Sequence, residues 1–228
     1  MRGVFITGTD TGVGKTVLAA AICAALAARG ARVAAFKPIV TGLDEPAGEW
    51  PPDHELLASV ANAGQSAEEV APVRFGPAVS PHLAAERAGT TLEPLELVAA
   101  ARAAGERAGT LVCEGVGGLM VPLTSGYLIR DFALDLRLPL VIAARPGLGT
   151  ISHSLLAVEA ARTAGLEVRG VVLTPWPDNP DGVARSNLDT IASLAGVSVA
   201  TLPFATRATL AAAGDALPLD RWLGEPGP

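Results

Sequence analysis

The feature that most constrains this chain is the stretch from Thr7 to Thr16, which reads Thr-Gly-Thr-Asp-Thr-Gly-Val-Gly-Lys-Thr and lies between two apolar runs. The first run is short and β-branched, the second is rich in Ala and Leu, so the stretch is a strand-to-helix turn. Glycines at 8, 12 and 14 let the backbone curl until successive N–H groups face one anion, and the helix start adds its partial positive charge. Lys15 then bridges the β- and γ-phosphates of a nucleoside triphosphate, and the Thr16 hydroxyl ligates Mg²⁺. Gly12, Val13, Gly14, Lys15, Thr16 and Val17 are accordingly assigned to nucleotide binding. Five residues separate Gly8 from Gly14, where the common form has four.

Short β-branched runs continue to alternate with stretches of helical period, the signature of βαβ units feeding a mostly parallel sheet. Strands are expected over residues 4–7, 32–36, 110–114, 140–143, 170–173 and 199–202. Helices are expected over residues 15–29, 53–63, 81–88, 94–105, 151–164 and 182–194, with a short turn at 219–223. Leu18, Ile22 and Leu26 put an apolar side on the first helix, and Gly30 ends it. The fold class is therefore α/β, one doubly wound domain over residues 1–223 with helices on both faces and a frayed tail at 224–228. Residues 42–52, rich in Gly, Pro and acids, read as a loop near a site.

With 17 Lys and Arg against 23 Asp and Glu, the net charge is −6 and no basic run offers a counter-charge to a nucleic acid. The longest apolar stretch, residues 17–28, falls short of the ~20 residues a membrane span needs. Nothing at the N-terminus resembles a secretory signal, so a cytoplasmic location is expected, with neither membrane nor nucleic acid as partner. Cys23 and Cys113 read as core packing, and His54, His82 and His153 lack metal-ligand spacing.

Other strand ends carry further chemistry. Lys37 closes the second strand at the carboxyl edge, where open α/β sheets place ligands; it would hold a transferring phosphoryl group, or it is a solvated surface lysine. Thr41 either caps a turn or binds substrate. Glu114 ends the third strand before Gly115, Val116 and Gly117, so a carboxylate can face a metal while the backbone approaches phosphate; the alternative is a turn cap. Asp53 follows two prolines and is a metal ligand or a helix N-cap. Gly149, Thr150, Ile151 and Ser152 open a second helix whose start can receive a carboxylate, or is an ordinary helix start.

In combination these residues resemble the dethiobiotin synthetases. The resemblance runs from the first strand to about Phe204 and rests on the phosphate loop, Lys37-Pro38 with Thr41, Asp53, Ser80-Pro81-His82, Glu114 to Gly118 followed by Pro122-Leu123, and Leu148 to His153. It implies a homodimer, with its active site at the subunit interface, that uses ATP, Mg²⁺ and CO₂ to close 7,8-diaminononanoate into a cyclic urea through a carbamate and a mixed anhydride with phosphate. It further implies that Lys15, Lys37 and Thr11 are catalytic and that Thr41 holds the reacting end of the substrate. Thr16, Asp53 and Glu114 would hold Mg²⁺, and Gly149 to Ser152 of the partner subunit would bind the distal carboxylate.

Two positions depart from the pattern. Some family members carry Glu where this chain has Gly12, and many have Asn-Asp where it has Thr174-Pro175. Threonine lacks the paired donor and acceptor of an amide, so another nucleoside triphosphate can stand in for ATP; Thr174, Pro203 and Phe204 are the candidates for the base pocket. The rival reading is a partitioning-type ATPase switch. Its phosphate loop carries an extra lysine near the start, and neither Gly8 nor Thr9 is lysine.

Overall fold

The computed structural model describes residues 1–46 and 48–223. The chain opens with β1 (Arg2–Gly8), α1 (Lys15–Ala28), β2 (Val33–Phe36), β3 (Ile39–Val40), α2 (Asp53–Val60), α3 (Ala67–Val70) and β4 (Val73–Arg74). The middle holds α4 (Pro81–Ala88), α5 (Pro94–Ala108), β5 (Thr110–Gly118), β6 (Pro122–Thr124), β7 (Tyr127–Leu128) and α6 (Ile129–Leu136). The last part holds β8 (Leu140–Ala144), α7 (Thr150–Thr163), β9 (Val168–Trp176), α8 (Gly182–Ala195), β10 (Ser198–Pro203), α9 (Leu210–Asp215) and α10 (Leu219–Leu223).

Six of the strands form one sheet in the order β10-β9-β8-β1-β5-β2, with every pairing parallel. Parallel strands need helical crossovers, and those crossovers cover both faces, so the central strands are apolar on both sides. β1 illustrates this: Phe5 enters one core with Phe36, Leu111 and Phe132, while Val4 and Ile6 enter a second with Leu18, Ile22 and Leu202. Successive side chains point to opposite faces, and one strand thereby serves both cores. Six expected strands are present, and β5 and β9 run longer than expected.

Several expectations are corrected. The helix from Asp53 stops at Val60 instead of residue 63: Ala61 is extended, and the Asn62 Oδ1 accepts the Val33 N–H at 2.7 Å. The small pairs β3-β4 and β6-β7 and the helices α3, α6 and α9 were not expected. The tail at residues 224–228 lies outside the described residues. Among the described residues no helix is long and apolar enough to cross a membrane.

The sheet brings the carboxyl ends of β1, β2 and β5 side by side. β5 is hydrogen-bonded to β1 on one side and β2 on the other, with Glu114 level with Ile6 and Cys113 level with Phe36. Three loops therefore open onto one edge: the turn after β1, Lys37 after β2, and the glycines at the end of β5.

Candidate active site

The turn between β1 and α1 depends on missing side chains. Gly12 and Gly14 take φ of +69° and +89°, which a residue with a Cβ resists. A Cβ on Gly14 would also lie 2.9 Å from Thr174 Cγ2. Lys15 is buried and reaches back along the loop, its Nζ donating to the Asp10 carbonyl at 2.8 Å. Burial pulls its pKa below the ordinary lysine value, with Glu114 opposing and Lys37 adding to the shift.

Across from it, Lys37 is buried and not a solvated surface residue. Its ammonium donates to Glu114 Oε1 at 2.6 Å and also to Asp53 Oδ2. Burial alone would lower its pKa, but Asp53 and Glu114 outweigh that and hold it above the ordinary lysine range. Burial pushes the Asp53 carboxyl up, but Lys37, the Thr16 hydroxyl and Lys15 together outweigh it and hold it below the usual carboxylate value. Its side chain is 40% exposed, and the carboxylate meets the cavity.

Glu114 is the buried centre of the group. Burial pushes its pKa above the usual range, and Lys37 offsets part of that. Its Oε1 also accepts the Thr16 hydroxyl at 2.9 Å, while Oε2 is buried with no partner among the described residues. An orphaned carboxylate oxygen beside a hydroxyl and a second carboxylate is a hard-cation donor set. Among the described residues no cluster of three His, Cys, Asp or Glu side chains makes a self-sufficient metal cage. A divalent ion held by Thr16, Asp53 and Glu114 would take its remaining oxygens from phosphate or water, as Mg²⁺ commonly does.

These groups surround one cavity of about 630 Å³. Its walls include Thr11, Gly12, Gly14, Lys15, Thr16, Val17, Lys37, Thr41, Asp53, Glu114, Val116 and Gly117 from the positions assigned on sequence. Val13 and Gly115 face away: Val13 is buried in the core, and Gly115 packs against Phe5 and Ile129. Thr174 is buried beneath Gly14. Pro203 and Phe204 close β10, with Phe204 60% exposed.

Gly149, Thr150, Ile151 and Ser152 open α7 and lie outside this cavity's walls. Asn187 on α8 fixes the turn before them, donating from Nδ2 to the carbonyls of Pro146 at 2.9 Å and Gly147 at 3.1 Å. The sequence reading gave no site role to Trp50, Leu56, Ala78, Val79, Ser80, Pro81 and Val121, which complete the cavity wall. A signal existed for Ser80: it precedes Pro81 at the start of α4, the usual arrangement of an N-cap before an N1 proline. None existed for Trp50, whose role depends on how the 42–52 loop folds back.

With this geometry established, comparisons with known proteins place the chain. A family model described as an AAA domain matches residues 2–209. A protein of Bacillus subtilis strain 168 named ATP-dependent dethiobiotin synthetase BioD is 34% identical over 199 residues, covering 87% of this chain and 85% of its own length. One of the same name from Anaeromyxobacter dehalogenans strain 2CP-1 is 41% identical over 194 residues, covering 85% and 86%. Among solved structures, a ParA family ATPase from Chlorobium tepidum TLS superposes with a TM-score of 0.53 at 13% identity, covering 96% of this chain and 92% of that one. Likeness at that identity concerns the fold alone.

Proposed function

The chain belongs to the ATP-dependent dethiobiotin synthetase family, within the wider family of AAA domains, and we propose that it closes 7,8-diaminononanoate and CO₂ into dethiobiotin by way of a phosphorylated carbamate. It is an ATP-dependent ligase that forms C–N bonds. The observation that carries the finer reading is the convergence of Lys15, Lys37, Thr16, Asp53 and Glu114 on one cavity, with Thr11 and Thr41 in the same wall.

The chemistry suits those groups. One substrate amine adds CO₂ and loses a proton, giving a carbamate. A carbamate oxygen then attacks the γ-phosphorus and the nucleoside diphosphate leaves; the second amine attacks the carbonyl carbon, loses a proton, and expels phosphate. Each stage gathers negative charge that Lys15 and Lys37 face, and the protein's part is position and electrostatics. Thr11 and Thr41 would hydrogen-bond the reacting end. Thr16, Asp53 and Glu114 would hold Mg²⁺, which when bound neutralises phosphate charge. Trp50, Val79, Pro81 and Val121 give the cavity an apolar side suited to an alkyl chain.

We further infer a cytoplasmic homodimer in which Gly149 to Ser152 of one subunit serve the cavity of the other. Leu148, next to that helix start, is 97% exposed, and Leu156 on α7 is also exposed, a surface that favours cover by a partner. The proposal is tested by incubating the protein with diaminononanoate, bicarbonate, Mg²⁺ and ATP and detecting the product by mass. A cyclic urea with one equivalent of phosphate is expected. ATP hydrolysis without urea would refute it.

Base selectivity is expected to be weak. Thr174 is buried and packed under Gly14, and a threonine hydroxyl offers no amide pair to a base. Turnover with ATP, GTP and CTP should agree within about tenfold in kcat/KM, because strong rejection requires a site that hydrogen-bonds the correct base. A thousandfold preference for ATP would show that another group reads adenine.

A further inference from the structure

Arg145 stands immediately after β8, at the carboxyl edge of the sheet and beside β1. Its Nη2 donates to the Thr11 carbonyl at 3.2 Å and lies 3.2 Å from where a Cβ on Gly12 would sit. Thr11 and Gly12 both line the cavity. The glycine at position 12 leaves the guanidinium room to lie close against the phosphate loop. Arg145 is exposed, and no carboxylate among the described residues forms an ion pair with it.

A guanidinium presents five N–H donors in a planar fork that matches two oxygens of a phosphoryl or carboxyl group. Here one donor is spent on Thr11, and among the described residues no carboxylate pairs with the rest. In a chain of net charge −6, an unpaired cation at the rim of an anion-binding loop has no intramolecular ion pair to account for it. We propose that Arg145 binds an oxyanion at the mouth of the phosphate loop, a third cation beside Lys15 and Lys37. The oxyanion is the terminal phosphoryl group of the nucleotide or the carbamate that receives it, and the hydrogen bond to Thr11 holds the guanidinium against a residue that lines the cavity. The identity of the carbamate rests on the function proposed above; the phosphoryl alternative does not.

The test uses the full chain with Arg145→Gln, which keeps a donor for the Thr11 carbonyl but removes the charge, and Arg145→Lys, which keeps the charge. Calorimetry measures binding of a non-hydrolysable triphosphate analogue and of the diphosphate, each with Mg²⁺, and steady-state assays give KM for the diamine. If the oxyanion is the γ-phosphoryl group, Arg145→Gln weakens the triphosphate analogue about tenfold while the diphosphate changes less than twofold, and Arg145→Lys keeps most of the affinity. If it is the carbamate, the diamine KM rises about tenfold and triphosphate binding holds. Unchanged values in all three measurements overturn the proposal. So does an equal loss in both variants with a lowered Tm, which would make Arg145 only a tie between two loops. A wild-type protein that makes no cyclic urea, yet loses triphosphate affinity on Arg145→Gln, would overturn the reaction and leave this site standing.

Discussion

Lys37→Ala is expected to abolish ring closure, lowering kcat by about 10³-fold or more, while nucleotide affinity stays within several-fold of the parent. The reason is the direction of the charge. In the proposed reaction the loop amides and Lys15 would anchor the triphosphate, whereas the Lys37 ammonium projects from the end of another strand toward Asp53 and Glu114. The substitution also has a structural signature. Removing one partner of a buried ion pair costs about 3–5 kcal/mol, because the remaining charge is left without compensation. Glu114 would retain only the Thr16 hydroxyl, so the variant should melt earlier than the parent without ligands, and Mg²⁺ with nucleotide should restore more stability to it than to the parent. Calorimetry and turnover on one preparation check both points, and parallel loss of binding and turnover would contradict the assignment.

The second large effect is expected from Glu114→Gln. The amide is nearly isosteric and its oxygen can still accept from Thr16, so the fold should survive. What is lost is an anionic oxygen in a donor set whose Oε2 has no partner among the described residues. The midpoint of a Mg²⁺ titration of turnover should rise about tenfold or more, since hard cations depend on ligand charge. Lys37 would keep Asp53 as its ion pair, which separates this effect from that of Lys37→Ala. An unchanged metal titration would remove Glu114 from the metal site.

Much of this was legible in the sequence, for identifiable reasons. The strands of the main sheet are short apolar runs, buried on both faces except at the β10 edge, and such runs stand out against Ala-rich helices. The phosphate loop was readable because its chemistry is local: glycines, Lys15 and Thr16 lie in one turn. Lys37, Asp53 and Glu114 lie on separate elements, and sequence alone left each with a bland alternative. Only the strand order, β5 between β1 and β2, makes them neighbours. Resemblance to a family supplied that step before the geometry did.

The omissions have physical causes as well. α6 carried a readable pattern, with Ile129, Phe132, Ala133 and Leu136 spaced along one buried face and Asp131 accepting the Leu128 N–H at 2.8 Å. Its shortness hid it, since eight residues give barely two turns of periodicity. α3 is shorter still, and its Ser66–Glu69 capping box was the only local sign. Arg145 carried no sign at all, because its contacts are with Thr11 and Gly12, far away in sequence.

The central claim is that two lysines and a metal-binding group hold a triphosphate so that a carbamate oxygen, and not water, receives the γ-phosphoryl group. The most direct measurement is a single turnover with freshly added ¹⁸O-labelled CO₂, diaminononanoate, Mg²⁺ and ATP, followed by mass analysis of both products. One labelled oxygen in the released phosphate and one retained in the cyclic urea are expected. Urea formed alongside unlabelled phosphate would mean that the ring closes without phosphorylation of the carbamate.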